Sequence, residues 1–221
     1  MPKTSPSKPL LMTLYGFPGS GKTYFARQFC ENVQAAHIQG DRIRSELFEN
    51  PRYDKQENQV VAQLMDYMAG EFLSAGISVV YDTNAARAIQ RHGLRDMARR
   101  LGAKPLLIWF QIDTDSSFFR SSKRDRRRSD DKYAAPMTRP LYDSQTEQMQ
   151  NPVPTEDYIV ISGKHTFNTQ YAAVSHKLRE LGLYGIEDGG GHLVKPGLVN
   201  LVPNQQPTGR VDFGRRNITI R

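Results

Sequence analysis

A short stretch near the amino terminus constrains the fold of this chain more than any other. Residues 10–15, LLMTLY, form a near-continuous apolar run, which is typical of a parallel β-strand buried on both faces. The glycine-rich segment 16–23, GFPGSGKT, follows at once, and residues 22–32 then repeat apolar side chains at helical spacing. A strand, a glycine-rich turn and a helix in this order predict an α/β architecture.

The segment 16–23 satisfies the pattern Gly-x-x-x-x-Gly-Lys-Thr in full, in the strand-to-helix context that the pattern requires. Glycines let backbone N–H groups turn inward around phosphates, Lys22 supplies a positive charge, and the Thr23 hydroxyl can ligate Mg²⁺. The alternative is a glycine-rich turn without a ligand. We predict binding of ATP with Mg²⁺, and the residues expected to contact the nucleotide are Phe17, Pro18, Gly19, Ser20, Gly21, Lys22, Thr23 and Tyr24.

The rest of the chain alternates between strand-like and helix-like patterns. A length of 221 residues favours one principal core. Alternation at this spacing predicts right-handed βαβ units and a parallel sheet covered on both faces. The predicted strands after the first are 37–39, 77–81, 105–112 and 158–162, and the predicted helices are 57–75, about 94–101, 116 through the arginine cluster, and 169–181.

Asp82 follows the apolar strand 77–81 directly. If this strand lies beside the first one, the Asp82 carboxylate can reach a magnesium ion held by Thr23. An aspartate at a strand end can also serve only as a helix cap, and Thr83 or Asn84 can take that role instead. We interpret Thr23 and Asp82 as the metal-binding pair.

Four segments together carry a resemblance to a known group of proteins. They are GFPGSGKT at 16–23, GDRIR at 40–44, VVYDTN at 79–84 and the arginine-rich run at 120–128. With these segments, residues 10–181 resemble the small P-loop kinases related to polynucleotide kinase and the zeta toxins, including AAA-type ATP-binding kinase-like proteins. The resemblance implies adenylate-kinase-like topology: a three-layer α/β/α fold, a five-stranded parallel sheet of order 2-3-1-4-5, and an arginine-rich lid at about 116–140.

The resemblance also implies roles for the residues that follow the second strand. Asp41 becomes the general base that accepts the proton of the attacking hydroxyl, and Arg44 becomes a clamp for an anionic part of the substrate. Taken alone, the two residues also fit an ordinary helix start with a surface arginine. The pocket between Asp41, Asn84 and Arg87 is expected to receive the acceptor.

The arginine-rich run is expected to be helical, with Arg120, Arg124 and Arg127 or Arg128 on one face. The lid spacing of related kinases implies that Arg120 and Arg124 are catalytic, because they would neutralise charge on the transferring phosphoryl group and exclude water. The surplus residues 126–128 either grip a polyanion or form a solvated basic face.

The net charge of +7 arises in one segment, since residues 87–139 hold 14 Lys/Arg against six Asp/Glu. Such a patch attracts nucleic acid or equally the phosphates of small substrates. No apolar stretch approaches the roughly 18 residues of a membrane span, and the first residues lack a signal-peptide pattern. The single cysteine, Cys30, fits a reducing compartment, so we expect a cytoplasmic protein without a membrane partner.

Composition divides the chain into three parts: a flexible terminus at 1–9, a kinase-like domain at 10–184, and a Gly/Pro-rich tail at 185–221. The tail is either an edge strand or partner-binding segment, or it is disordered. The sequence leaves the oligomeric state of the protein open.

The combined motifs predict an ATP-dependent phosphotransferase that moves the γ-phosphate to a hydroxyl acceptor. The acceptor is either a small molecule or the 5′-hydroxyl of a nucleic acid. The alternative function is an ATP-hydrolysing regulatory or switch protein that binds a partner or nucleic acid.

Overall fold

The computed structural model describes residues 3–127 and 131–184, and this part of the chain contains five strands and seven helices. In chain order they are β1 (Leu10–Gly16), α1 (Lys22–Asn32), β2 (Ala35–Gln39), α2 (Gly40–Leu47), α3 (Lys55–Ser74), β3 (Ser78–Asn84), α4 (Ala88–Arg100), β4 (Lys104–Gln111), α5 (Thr114–Ser122), α6 (Arg139–Glu147), β5 (Tyr158–Ser162) and α7 (Phe167–Glu180).

The five strands form one parallel sheet in the order β2-β3-β1-β4-β5. This order confirms the predicted α/β fold, in which β1 lies at the centre and β3 beside it. The order places the carboxyl ends of β1, β2 and β3 along one edge of the sheet, where ligands bind in open α/β sheets.

Each face of the sheet carries its own apolar cluster. Helices α1 and α7 cover one face, where Phe25 and Phe29 pack with Val174 and Leu178 against alternate residues of β1 and β4. Helices α3 and α4 cover the other face with a second cluster that includes Met65. The continuous apolar runs of β1 and β3 follow from this double burial.

Two short helices, α2 and α6, were not predicted from periodicity. The side of α2 that is buried carries Gly40 and Arg44 instead of large apolar residues, and α6 buries only Tyr142. A helix of eight or nine residues with so few buried apolar positions gives no periodic signal, and only its tertiary contacts stabilise it.

The predicted continuation of α5 through the arginine cluster is wrong. Helix α5 ends at Ser122, so Arg124 and Arg127 do not share a helical face with Arg120. The Asp125 side chain accepts a hydrogen bond from the Arg127 amide (3.0 Å), and this Asx-type turn competes with helix continuation. Residue 128 lies outside the described residues.

The amino-terminal segment, predicted to be flexible, is held against the domain from residue 3 onward. Thr4 pairs with Val33 in an isolated parallel bridge, and the Ser7 amide donates to the Leu183 carbonyl (2.8 Å). Lys3 Nζ donates to the Cys30 carbonyl (2.7 Å). The segment therefore links the carboxyl end of α1 to the residues after α7.

Within the described ranges, no helix is long and apolar enough to cross a membrane. The predicted tail at 185–221 lies outside those ranges.

Candidate active site

The loop between β1 and α1 has the backbone that its glycines make possible. Gly19 has φ +81° and Gly21 has φ +96°, conformations that side-chain-bearing residues rarely adopt. A Cβ atom on Gly19 would also overlap the Ser117 carbonyl oxygen. Gly21 precedes α1 and provides no side-chain cap, so the first amides of the helix remain available to an anion.

Two neighbouring segments hold this loop from outside. The Ser117 hydroxyl of α5 donates to the Pro18 carbonyl (2.5 Å). Gly163, in the turn after β5, lies so close to the loop that a Cβ atom there would stand 2.5 Å from the Ser20 carbonyl oxygen. The loop therefore rests on two other segments, which is the preorganisation that a phosphate cradle requires.

Lys22, at the start of α1, folds its side chain back over the loop. Its Nζ atom donates to the carbonyls of Gly16 (2.7 Å) and Phe17 (2.8 Å). Burial lowers the pKa of Lys22 to about 7, although the negative charges of Asp82 and Asp41 oppose this effect. An ammonium group in so dry a position interacts strongly with any phosphate that enters the loop.

Asp82 and Thr23, the predicted metal pair, meet as expected from the strand order. Thr23 Oγ1 donates to Asp82 Oδ1 (3.2 Å), and His37 Nε2 of β2 lies 2.9 Å from Asp82 Oδ2. Strand β3 runs on to Asn84 instead of ending at residue 81, and its pairing register with β1 shifts between Thr13 and Leu14. The register shift occurs where Asp82 faces the phosphate loop.

These residues fit a magnesium ion. Mg²⁺ prefers oxygen ligands and usually takes only one or two protein groups beside substrate phosphates and water, as Thr23 and Asp82 would offer. Among the described residues no cluster of three or more His, Cys, Asp or Glu side chains could hold a metal by itself. A metal at this position would therefore depend on the nucleotide for its remaining ligands.

Asp41, the predicted general base, lies in the first turn of α2 and is partly buried. Burial raises the pKa of the Asp41 carboxyl, and the charge of Asp82 acts in the same direction. Arg124, Arg44 and Lys22 oppose the rise. The structure thus brings Asp41 into electrostatic contact with the phosphate-loop lysine and with a lid arginine.

Arg120 and Arg124 reach the site by different routes, since only Arg120 is helical. Arg120 Nη1 donates to the Gly163 carbonyl (2.8 Å), and its Cβ packs beside the loop at Gly19. Arg124 Nη1 donates to the Ala135 carbonyl (3.0 Å), and its charge acts on both Lys22 and Asp41. Of the two arginines expected to be catalytic, Arg124 is the one whose charge acts on Asp41.

Arg44, the predicted substrate clamp, is buried and already engaged. Its Nη1 atom donates to Glu57 Oε2 (3.1 Å), its Nη2 atom donates to Asn58 Oδ1, and its guanidinium lies over the Tyr53 ring. Only its Nε atom lacks a hydrogen-bond partner among the described residues. In this arrangement Arg44 ties α2 to α3, and the sequence did not predict this contact.

Asn84 and Arg87 lie at the end of β3 and just before α4. Asn84 Oδ1 accepts from the Gly16 amide (3.3 Å), so the side chain supports the phosphate loop. Arg87 is exposed, and its Nη2 donates to Gln148 Oε1 (2.9 Å). Both contacts join the β3–α4 connection to neighbouring segments, and the amide of Asn84 also faces the Met149 sulfur (3.7 Å).

The two aromatic residues expected at the nucleotide differ in their surroundings. Phe17 is half-buried, and its ring is tilted against Tyr142 of α6 with centroids 6.5 Å apart. Tyr24 on α1 is 41% exposed. Phe17 therefore helps to attach α6 to the loop, whereas Tyr24 borders the solvent.

Three residues with a clear structural role at the site were missed by sequence reasoning: His37, Glu57 and Gly163. His37 contacts Asp82 only because β2 pairs with β3, and Gly163 contacts the loop only because β5 follows β4 in the sheet. No motif in the sequence marks such contacts. His37 and Gly163 could be found only from the sheet order, and Glu57 only from the packing of α2 and its following loop against α3.

The fold and the loop geometry define a P-loop protein with the sheet order of the small kinases. Residues 11–150 match the model of a family described as an AAA domain. The chain belongs to this AAA domain family. A search of curated proteins gave no match.

Several solved structures share the fold. A gluconokinase from Sinorhizobium meliloti 1021 matches with a TM-score of 0.56 and 18% identity, over 78% of this chain and 93% of that one. The Mycobacterium tuberculosis APS kinase, solved with AMPPNP and APS, matches at 0.54 and 17% over 79% and 99%. Chaetomium thermophilum Kti12, solved with ADP-AlF3, matches at 0.53 and 14% over 74% and 98%. At these identities the likeness concerns the fold.

Proposed function

We propose that the protein is an ATP-dependent phosphotransferase that moves the γ-phosphate of Mg²⁺-bound ATP to a hydroxyl acceptor. In this reaction the acceptor oxygen bonds to the γ-phosphorus, the bond from that phosphorus to the ADP oxygen breaks, and the hydroxyl proton passes to a base. The loop at 16–23 would bind the phosphates, and Thr23 with Asp82 would hold the metal ion.

The observation that carries this proposal is the position of Asp41. A protein that only binds ATP has no need of a partly buried carboxylate whose charge interacts with Lys22 and Arg124, whereas transfer to a hydroxyl needs a group that accepts its proton. A raised pKa brings a carboxylate nearer to the working pH, which improves a general base. Asp41 is accordingly assigned to the acceptor hydroxyl.

Arg124 supports the same assignment from the lid. Its charge acts on Asp41 and Lys22, so a phosphoryl group passing between them would lie within its reach. A guanidinium there neutralises the charge that spreads over the phosphoryl oxygens in the transition state. Arg120, with one donor on the Gly163 carbonyl, would hold the lid against the phosphate loop and leave its other donors for phosphate.

Asn84 and Arg87 remain candidates for the acceptor side. Asn84 would hold the phosphate loop in position, since its Oδ1 atom accepts a hydrogen bond from the Gly16 amide. Arg87, which is exposed, would bind an anionic part of the acceptor. Arg44 would contribute mainly by holding α2, since two of its nitrogens are engaged by α3.

Arg44 already donates hydrogen bonds to α3, and this favours a second candidate function. If the clamp is unavailable, the same site fits a regulatory ATPase in which water replaces the acceptor and the basic lid binds a partner or nucleic acid. The two functions differ in where the γ-phosphate goes: a kinase leaves it on the acceptor, and an ATPase releases it as free phosphate.

The test is incubation of the full chain with γ-labelled ATP, Mg²⁺ and panels of hydroxyl acceptors, including sugars, nucleosides and 5′-hydroxyl oligonucleotides. Wild type should label an acceptor. The Asp41→Asn variant should lose about 10²- to 10⁴-fold in rate, as expected for removal of a general base, while ATP still raises its melting temperature.

The matched control is Asp96→Asn, an exposed carboxylate on α4 that pairs with His92 and belongs to none of these motifs. Label appearing only as free phosphate, with Asp41→Asn as active as Asp96→Asn, would refute phosphotransfer and leave the ATPase function.

A further inference from the structure

The connection between α2 and α3 contains an unusual backbone conformation. Tyr53 has φ +58°, and within the described ranges it is the only non-glycine residue with a positive φ. Bulky residues avoid this region, and those held in it by their surroundings cluster at ligand-binding positions. The conformation therefore marks Tyr53 as a candidate ligand-binding residue.

Glu57 holds Tyr53 in place. The Glu57 carboxylate, which is only 3% exposed, accepts from the amides of Arg52 (2.9 Å) and Tyr53 (2.8 Å) and from Arg44 Nη1 (3.1 Å). Asp54 caps α3 by accepting from the Glu57 amide (2.9 Å). Short charge-assisted hydrogen bonds of this kind hold the backbone of Tyr53 in its positive-φ conformation.

The ring lies against the helix that carries the candidate base. The guanidinium of Arg44 stands 4.6 Å from the ring centroid, and Arg44 lies one helical turn after Asp41 on α2. Despite this contact Tyr53 remains 43% exposed. One face of the Tyr53 ring thus contacts the Arg44 guanidinium, while much of the side chain is exposed to solvent.

Charges of the predicted lid also act on this ring. Burial and the charge of Asp41 raise the pKa of Tyr53, whereas Arg44, Arg126 and Arg124 oppose the rise. The tertiary structure therefore brings an aromatic ring into the electric field of basic residues from the run at 120–128, although that run itself contains no aromatic residue.

We propose that Tyr53 is a stacking platform in the acceptor site, and that the acceptor carries a flat ring together with an anionic group attracted by the basic run at 120–128. This inference rests on the proposed phosphotransfer, since Asp41 would receive the proton of that acceptor's hydroxyl. A nucleoside phosphate has all three features: a planar base for Tyr53, a phosphate for the arginines and a free hydroxyl for Asp41. A free nucleotide and the end of an oligonucleotide share this chemistry.

The platform is tested by binding, without turnover. The full chain is loaded with Mg²⁺ and a non-hydrolysable ATP analogue, so that the probe cannot enter the ATP site. Calorimetric titrations then use adenosine 3′-monophosphate, glycerol 3-phosphate as an anion without a flat ring, and a short oligonucleotide with a 5′-hydroxyl.

The decisive variant is Tyr53→Asn, because asparagine tolerates a positive φ and so removes the ring without straining the loop. We expect its Kd for adenosine 3′-monophosphate to rise about 10- to 100-fold, the usual effect of losing one stacked base contact. Its Kd for glycerol 3-phosphate should stay unchanged. Tyr53→Phe, which retains the ring, should bind within about threefold of wild type.

Tyr67→Asn is the matched control, since Tyr67 on α3 is 65% exposed and has no place in the site. The platform is overturned if Tyr53→Asn binds adenosine 3′-monophosphate within threefold of the control, or if both probes weaken equally. Tighter binding of the oligonucleotide than of the mononucleotide would identify the strand end as the source of the nucleotide, and equal binding would identify the free nucleotide.

Failure of the proposed function would be visible separately. Asp41→Asn should bind adenosine 3′-monophosphate like wild type and transfer no phosphate to it. Ring-dependent binding without transfer by wild type would refute the kinase and leave the platform, whereas transfer that is indifferent to Tyr53→Asn would refute the platform and leave the kinase.

Discussion

Replacing Glu156 by glutamine tests how α4 and the segment that joins it to β3 are held to the segment before β5. Glu156, before β5, accepts from Arg91 Nε (2.7 Å) and Nη2 (3.0 Å) on α4, and both residues are almost fully buried. Arg91 also donates to the Ala85 carbonyl (3.0 Å), in the segment that joins β3 to α4. Glutamine would keep the shape of Glu156 and remove its charge.

The expected cost follows from leaving the Arg91 guanidinium buried without a counter-charge. Breaking one side of a buried ion pair costs about 3–5 kcal/mol of unfolding free energy, which for a domain of this size lowers Tm by about 6–20 °C. Urea unfolding followed by circular dichroism at pH 7 measures this loss. Arg91→Met combined with Glu156→Leu should restore most of it, because no charge is then left buried.

The pH dependence gives the same experiment a second readout. Burial tends to raise the pKa of Glu156, but the hydrogen bonds from Arg91 and the Val153 amide outweigh it and hold the pKa below the usual 4.5. A lowered folded-state pKa stabilises the protein fully above the unfolded-state value, and this contribution is lost as pH falls through the folded-state value. The gap between wild type and Glu156→Gln should therefore narrow below about pH 4.5.

Asp143→Asn provides the control, since the Arg139–Asp143 pair on α6 has a similar distance (3.0 Å) but is exposed. Its loss should leave the free energy of unfolding nearly unchanged, because solvent and salt screen an exposed ion pair. The reasoning is refuted if Glu156→Gln loses no more stability than Asp143→Asn, or if the gap for Glu156→Gln persists unchanged in acid.

Three further changes probe the nucleotide site. Lys22→Met should abolish the rise in melting temperature that ATP produces, and a retained rise would place the ATP site elsewhere. Without ATP, the free energy of unfolding of wild type should increase from about pH 7 to 10.5, because the buried ammonium has already lost its proton in the folded state only; the variant should lack this increase. His37→Phe should raise the Mg²⁺ concentration needed for ATP stabilisation by about 10-fold, because His37 orients Asp82, the proposed metal ligand. An unchanged Mg²⁺ titration would contradict this. Gly163→Ala would place a methyl group against the Ser20 carbonyl, which should lower the free energy of unfolding by about 1–3 kcal/mol and weaken ATP binding. The control Gly93→Ala, with open space inside α4, should raise the free energy of unfolding by about 0.5–1 kcal/mol. Equal unfolding curves for the two variants would argue against the close contact.

Much of the fold was predictable because its signals are local. The apolar runs of β1, β3, β4 and β5 and the periodicity of α1, α3, α4 and α7 reflect burial within single elements. Helices α2 and α6 gave no such signal, since their stability comes from contacts such as that of Tyr142 with the Ser117 hydroxyl (3.0 Å). The arginine-rich segment misled the prediction because its residues favour helix, whereas α5 ends at Ser122 and the Asp125 side chain stabilises a turn beyond it.

In the candidate site, too, one part was predictable from a local segment of sequence and another part depends on tertiary contacts. The sequence by itself determined the phosphate loop, since the glycines, Lys22 and Thr23 are contiguous and their geometry depends on torsions that only glycine adopts easily. The position of Asp82 beside the loop depended on the strand order that the family resemblance implied, and β3 does lie beside β1 with Asp82 against Thr23.

Only the tertiary structure decided what surrounds that loop. It engaged Arg44 with Glu57, brought His37 to Asp82, and set the Tyr53 ring beside charges from the lid. These contacts join residues that are far apart in the chain. Their partners are chosen by strand order, by register and by where a helix stops, which are properties of the packed domain that no single segment of sequence encodes.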